Sequence, residues 1–300
     1  MKKILITGGS GLLGSNLVRM LRDRFHVFYT YNENYVKFSK CTPIRMNFMR
    51  DYEISDKLHY IRPDVVVNCA AMTGIRRCEE NRELAFHTNI YSAKILADMC
   101  SKLGSKLVQI SADAVFDGRK GMYTEEDKPN PLNYYSFTKM QAEKMVRRCA
   151  DSIIVRTNFY GTSVFGSGFS EAVLEKLKNR ETVHIPNDVF FTPILVDNLA
   201  EALSELLDKD ADGTYNVAGH EKITKFDFAK RIANVFGLNE NFILPVKMKD
   251  VYTGIEIPMD TSLSIEKAMT MLNTRPVGIN TGLMKIRERM KKDFHGEVLA

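Results

Sequence analysis

Tyr135 and Lys139 stand four residues apart in Pro131-Leu132-Asn133-Tyr134-Tyr135-Ser136-Phe137-Thr138-Lys139, a stretch of helical character, so their side chains share one helix face. A lysine ammonium beside a phenol favours the phenolate and lowers the tyrosine pKa, which makes Tyr135 a proton donor and acceptor near neutral pH. That chemistry suits the reduction of a carbonyl. A second constellation, Thr7-Gly8-Gly9-Ser10-Gly11-Leu12-Leu13-Gly14, follows the apolar run Ile4-Leu5-Ile6 and opens a helical pattern through Leu17, Val18 and Leu21. Its Gly-x-x-Gly-x-x-Gly spacing lets the backbone turn sharply against a pyrophosphate while free N–H groups at the helix start face the anion. Neither signal is specific alone. Tyr and Lys at this spacing commonly just cover a helix surface, and glycine turns also join strands to helices for structural reasons. Together with a strand ending Asn68-Cys69-Ala70-Ala71 they point to a dinucleotide-dependent oxidoreductase.

Such residues need a scaffold that brings distant segments to one place. Short β-rich runs at Lys3-Thr7, His26-Thr30, Pro43-Met46, Asp64-Cys69, Lys106-Ser111 and Ser152-Thr157 alternate with helical stretches near 12–23, 51–60, 79–103 and 134–149. The alternation predicts an α/β fold, a doubly wound parallel sheet of the Rossmann type with right-handed crossovers. Ligands of such sheets lie outside the carboxyl ends of the strands, where Gly8, Asn68 to Ala71, Ser111 to Val115 and Asn158 fall. Residues 1–160 are expected to form the dinucleotide-binding domain, completed by about 196–220, with 161–195 and 221–300 forming a smaller mixed substrate domain. The second half carries a glycine-rich loop (Gly161 to Gly168), a helix near 169–179, a strand near Thr182-Ile185 and a turn at Pro193. A helix around Val196-Leu207 and a strand Thr214-Ala218 follow. Thr224 reads as the N-cap of a further helix, with Asp227 reaching back as a capping box and Gly237 as the stop.

Composition excludes several classes. The chain has 300 residues, 44% of them hydrophobic, enough for a sizeable core. The net charge is +5 and the isoelectric point about 8.8, with Lys and Arg interleaved among Asp and Glu, so no nucleic-acid footprint stands out. The charged run Lys285 to Lys292 reads as a solvated helix face. Five cysteines (Cys41, Cys69, Cys78, Cys100, Cys149) lack any Cys-x-x-Cys spacing and read as reduced structural thiols, with no metal site. The apolar run after Met1-Lys2-Lys3 is too short for a signal peptide, and no segment is long enough to span a membrane, so a cytoplasmic protein is expected.

The chain resembles the extended short-chain dehydrogenase/reductase superfamily and, within it, the dTDP-4-dehydrorhamnose reductase family. The likeness is carried by the glycine turn, by Arg62-Pro63-Asp64-Val65-Val66-Val67-Asn68-Cys69-Ala70-Ala71, by Asp113-Ala114-Val115-Phe116-Asp117-Gly118 and by Pro131-Leu132-Asn133 leading into Tyr135 and Lys139. Arg275-Pro276 with Leu283 is similar to the family's closing motif. The resemblance implies that Gly11, Leu12 and Leu13, within the turn that also holds Gly8, Ser10 and Gly14, touch the pyrophosphate. It places Asn47 and Phe48 by the adenine and Ala70, Ala71, Met72 and Thr73 along the nicotinamide, with Tyr135 and Lys139 binding the nicotinamide ribose as well as acting in catalysis. Ala112 and Asp113 fall at the substrate. The second strand ends Thr30-Tyr31-Asn32-Glu33, with Tyr31 at the adenosine ribose and no carboxylate squarely there, which favours NADP(H) and leaves NAD(H) open.

Three departures bear on function. Relatives carry Ser-Thr-Asp before the Val-Phe pair, and the threonine that holds the substrate carbonyl is Ala112 here. Losing one donor to a developing oxyanion costs about 10² to 10³ in rate, roughly 3 to 4 kcal/mol. Ser111 can substitute only if the strand end twists or bulges, since adjacent side chains point to opposite faces. Arg76, beside Arg77, replaces an aspartate and can bind a phosphate or carboxylate. Tryptophan is absent, leaving Phe159, Tyr160, Phe190 and Phe191 as aromatic platforms. The leading expectation is NAD(P)H-dependent reduction of a nucleotide-linked 4-keto-6-deoxy sugar, with a homodimer left open. The alternatives are a non-catalytic NADP-binding regulator, similar to the regulatory subunit of methionine adenosyltransferase, and a nucleotide-sugar epimerase or dehydratase.

Overall fold

The structure is a computed structural model and describes residues 1–163, 165 and 168–294, those from 292 onward by backbone only. The first half builds β1 (Lys3–Thr7), α1 (Leu12–Leu21), β2 (His26–Tyr31), β3 (Thr42–Arg45), α2 (Asp51–Ile61), β4 (Val65–Asn68), α3 (Ile75–Glu80), α4 (Arg82–Ala85), α5 (Ser92–Leu103), β5 (Lys106–Ile110), α6 (Tyr134–Val146) and β6 (Ser152–Arg156). The second adds β7 (Phe159–Tyr160), α7 (Phe169–Lys178), β8 (Val183–Pro186), β9 (Phe190–Phe191), β10 (Ile194–Leu195), α8 (Val196–Asp208) and β11 (Gly213–Asn216). It closes with β12 (Ile223–Thr224), α9 (Lys225–Phe236), β13 (Ile243–Val246), α10 (Met248–Val251), α11 (Glu266–Met271) and α12 (Ile279–Phe294).

Seven strands form one parallel sheet in the order β11-β6-β5-β4-β1-β2-β3, a doubly wound α/β fold. Helices cover both faces, so β4, β5 and β6 are buried along their whole length rather than alternating. Ile4, Ile6, Val108 and Val155 pack with α1 and α8 on one face, while Leu5, Val66, Leu107 and Ile154 pack with α2, α5 and α6 on the other. The order reverses between β1 and β4, which opens a crevice at their carboxyl ends.

The stretch 79–103, read from the sequence as one helix, is broken. α3 and α4 are followed by a π-helical turn over Phe86–Tyr91 before α5 begins. A π turn admits an extra residue and re-aims the side chains it carries. Here it carries Asn89, which reaches the site described below.

Beyond β6, β11 alone joins the large sheet, and the other strands pair two by two, β10 with β7, β12 with β9 and β13 with β8, over a core that includes Tyr160, Leu195, Phe228 and Leu283. Thr224 caps α9 by accepting the Asp227 amide at 2.9 Å, and Gly237 ends it in the left-handed conformation. The capping box is one-sided, because the Asp227 carboxylate accepts the Thr224 hydroxyl instead of a backbone N–H. Part of the Gly161 to Gly168 loop lies outside the described residues. In α12, Leu283 and Ile286 face the core while Lys285, Arg287 and Glu288 face solvent; the Lys292 side chain lies outside the described residues. Among the described residues no helix is long and apolar enough to cross a membrane.

Candidate active site

The glycine turn is stapled to the end of β2: the Gly8 amide donates to the Thr30 hydroxyl at 3.1 Å and the Gly9 amide to the Thr30 carbonyl at 2.8 Å. Gly8 has a φ of +62°, and a Cβ there would meet the Ala70 backbone at 2.9 Å. A Cβ on Gly14 would come 2.2 Å from the Gly8 carbonyl oxygen, so this helix start tolerates only glycine. The Gly11 amide donates to the Gly8 carbonyl at 2.9 Å, so Gly11 offers a bare surface rather than a donor. Leu12 and Leu13, whose side chains pack into the core, present first-turn amides that have no intrahelical acceptor. This cradle fits a dinucleotide pyrophosphate.

A cleft of about 300 Å³ runs past the turn, lined by Gly8, Ser10 and Gly11 on one side and by Tyr31, Asn47 and Phe48 on the other. Ala70 and Ala71 form its inner end. No carboxylate lines it, and Glu33 at the tip of β2 is exposed outside it. Ala71 and Cys69 also line a second cleft of about 490 Å³, which joins the sheet half to the substrate half. Thr73 lines this second cleft, whereas Met72 is buried behind it, its amide and carbonyl held by Asn89 at 2.8 and 3.0 Å. Asn89 also donates to Thr138 on α6 at 2.9 Å, tying the loop after β4 to the helix that carries Tyr135.

Tyr135 and Lys139 both line the larger cleft, with Ala112 and Asp113 from the segment after β5. Asn133 caps α6 by accepting the Ser136 amide at 3.0 Å, and Glu79 accepts the Tyr134 amide at 2.7 Å, so the first two turns that carry the pair are fixed from both sides. Lys139 Nζ donates to the Ile110 carbonyl at 2.7 Å, and burial lowers its pKa to about 8. The Tyr135 pKa is raised, first by burial and then by Asp113 and Cys78. The sequence expectation that Lys139 lowers it is therefore corrected: the ammonium is committed to a backbone carbonyl, and the phenol sits in a desolvating wall. A phenol held protonated is the form that gives a proton to a reduced carbonyl.

Ala112 sits in extended backbone and presents only a methyl group. Ser111 does not stand in for the missing threonine, since its hydroxyl donates to Glu143 Oε1 on α6 at 2.6 Å, two turns beyond Tyr135. Glu143 in turn accepts Arg156 Nε at 3.0 Å and Nη2 at 2.9 Å, a fully buried pair. Asp113 is buried, and its carboxylate accepts Asn158 Nδ2 at 3.0 Å and the Thr261 hydroxyl at 2.6 Å. Burial raises its pKa against these bonds.

Several cleft residues escape sequence reasoning. Lys225, the first residue of α9, lines the cleft half-buried, 4.9 Å from the Phe169 ring centre and 5.1 Å from that of Phe191. Its ammonium makes no hydrogen bond among the described residues, and burial lowers its pKa despite Asp113 opposite. Phe159 and Phe191 line the cleft, but Tyr160 belongs to the core and Phe190 is exposed under Lys222. Phe169 and Tyr252 are the further aromatic walls. Arg76 and Arg77 are exposed, and Arg76 lies over Tyr252 at 5.7 Å on the cleft rim. All five cysteines are free, and no cluster among the described residues could hold a metal ion.

The fold is shared with known proteins. The chain is 34% identical over 267 residues to the probable low-salt glycan biosynthesis reductase Agl14 of Haloferax volcanii, covering 87% of this chain and 89% of that one. It is 28% identical over 302 residues to mouse methionine adenosyltransferase 2 subunit beta, covering 94% and 86%. The dTDP-4-dehydrorhamnose reductase of Bacillus anthracis, solved in complex with NADP, superposes with a TM-score of 0.85 at 25% identity over 96% of this chain and 99% of that one. A family model, the RmlD substrate binding domain, matches residues 1–291, and the chain accordingly belongs to that family, within the short-chain dehydrogenase/reductase fold.

Proposed function

We propose that the chain reduces the 4-keto group of a nucleotide-linked 6-deoxy sugar with NADP(H). The observation that carries this reading is the convergence of Tyr135 and Lys139 on a cleft that continues from the glycine turn. Ala71 and Thr73 would flank the nicotinamide, and Lys139 would hold the ribose while keeping its bond to Ile110. Bound NADPH supplies a hydride to the carbonyl carbon. Tyr135 gives its phenolic proton to the oxygen, and Asp113, steadied by Asn158 and Thr261, accepts a sugar hydroxyl. NADP(H) is favoured by the lack of a carboxylate among the residues that line the cleft beside β2 and by the NADP bound to the Bacillus anthracis relative.

The test is NADPH oxidation by the purified chain over dTDP-4-dehydrorhamnose and related activated ketosugars. Tyr135→Phe is expected to lower kcat by about 10² to 10⁴ while NADPH still binds, its affinity reduced by no more than about tenfold for the one lost ribose hydrogen bond. Absence of NADPH consumption with every ketosugar overturns the reading. A second reading, a non-catalytic NADP(H)-binding regulator, is favoured by Ala112 and by the similarity to the methionine adenosyltransferase subunit. It requires tight NADP(H) binding with no turnover, and a partner that co-purifies.

A further inference from the structure

The missing threonine leaves a question about the hydroxyl that the reaction needs, and the register of two strands answers it. β5 and β6 pair in parallel with Ile110 beside Val155. The ladder runs past both strand ends: the Ser111 amide donates to the Val155 carbonyl at 2.7 Å and the Asp113 amide to the Thr157 carbonyl at 3.2 Å. Ala112 therefore lies beside Thr157. In-register residues of neighbouring strands project to the same face, with strands about 5 Å apart. Both residues line the cleft that Tyr135 lines.

Thr157 is 3% exposed, and its hydroxyl has no hydrogen-bond partner among the described residues. A buried hydroxyl left unpaired costs roughly 1–3 kcal/mol, and native structures keep few such groups. The neighbouring polar groups are committed elsewhere: Ser111 to Glu143, and both Asn158 and Thr261 to Asp113. Thr157 is not. Its hydroxyl is closed off from solvent in the present rotamer, but no bond holds it there. Turning about Cα–Cβ to another staggered position breaks no hydrogen bond among the described residues, and both Thr157 and Ala112 line the cleft.

We propose that Thr157 supplies the hydroxyl that position 112 lacks, donating a hydrogen bond to the substrate keto oxygen beside the Tyr135 phenol. The proposal rests on the reductase reading. As hydride adds to the carbonyl carbon, the π electrons of the C=O bond become a lone pair on oxygen. Tyr135 transfers its proton to that oxygen, and Thr157 keeps its own, stabilising the developing charge.

Five chains decide the matter: wild type, Thr157→Val, Thr157→Ser, Ala112→Thr and Ala112→Thr/Thr157→Val, each assayed for kcat with NADPH and a ketosugar and for NADPH affinity by fluorescence. Thr157→Val is expected to lose about 10² in kcat with NADPH affinity kept, and Thr157→Ser to retain activity. Ala112→Thr/Thr157→Val is expected to recover to within about tenfold of wild type, since a hydroxyl from either strand serves the same oxygen. A Thr157→Val chain as fast as wild type overturns the proposal and leaves the reductase reading standing. So does a slow Thr157→Val chain that Ala112→Thr fails to rescue, which marks a packing effect. Turnover by Ala112→Thr but not by wild type also overturns it. If neither turns over any ketosugar, the reductase reading falls, and this proposal with it.

Discussion

The two walls of the cleft are built differently. On the sheet side the polar groups at the strand ends, Thr157 apart, are bonded to one another: Thr7 to Asn68 at 2.6 Å, Asn68 to Gln109 at 2.8 Å, and Ser111 to the Glu143–Arg156 pair. Asn89 locks the loop after β4 to α6. On the substrate side the wall is made of rings and aliphatic side chains, Phe169, Phe191, Met248 and Tyr252 among them, with a lysine, Lys225, that makes no hydrogen bond among the described residues. The first wall is held rigid, as groups that must meet a reacting carbon within a fraction of an ångström need to be. The second is free to adapt to a ligand, so selection among sugars is expected to lie there while the chemistry stays fixed.

The contrast breaks most visibly at Arg156. Without Arg156 the buried Glu143 carboxylate keeps only the half-exposed Arg147 at 3.6 Å and the Ser111 hydroxyl, so Arg156→Met is expected to cost about 3 kcal/mol of stability, the low end for breaking a buried pair. Urea unfolding at an unchanged m-value measures it. Replacing Glu143 and Arg156 together with apolar residues should recover much of that loss, although it also strands the Ser111 hydroxyl. A single Arg156→Met chain as stable as wild type would mean that the sheet wall is not held by its polar network.

How much of this was legible in the sequence follows the same division. The strands of the sheet, the glycine turn and the Tyr135/Lys139 helix stand close to where periodicity puts them, because each is encoded by neighbours within a few residues. The π turn under Asn89 was not legible, since its side-chain partner Thr138 lies 49 residues away. Nor was the support of Asp113, whose hydroxyl donor Thr261 is 148 residues distant. The two-residue strands β7, β9, β10 and β12 are too short for any pattern to register. The direction of the Tyr135 pKa was misread for a related reason. A one-dimensional pattern shows which charges are near in sequence and not how far a group is buried.

Lys139 sharpens the contrast through pH. Its ordinary pKa of 10.5 is lowered to about 8 in the fold by burial, so the ammonium is present below about pH 8 and lost above it. Reductase kcat/KM is expected to fall about tenfold per pH unit on that alkaline limb. The contribution of this group to stability runs the other way. Between about pH 8 and 10.5 the unfolded chain holds more protons at this site, so stability rises with pH across that window, by at most about 3 kcal/mol at 1.36 kcal/mol per unit. Activity and stability measured on the same buffers should therefore diverge, and a pH profile flat to pH 10 would show that the charge on Lys139 is not needed.

The smallest effect is expected at Lys225, the cation of the adaptable wall. It takes part in no hydrogen bond that its loss would orphan, so Lys225→Met should leave stability and NADP(H) affinity as they are. A nucleoside diphosphate entering from the substrate side brings negative charge into a cleft where Lys139 is committed to the Ile110 carbonyl and Lys225 is not. A charge-assisted hydrogen bond to a phosphate oxygen contributes about 1.5–3 kcal/mol, and partial exposure of this lysine keeps the effect at the low end, about tenfold in affinity. Calorimetry with dTDP and UDP on the NADP⁺-saturated protein measures it, with Lys225→Arg as the charge-retaining control. Should Lys225→Met instead unfold the chain as readily as Arg156→Met, the two walls would be alike in kind. The adaptability assigned to the substrate side would then have to be sought in the rim, at Arg76 and Tyr252.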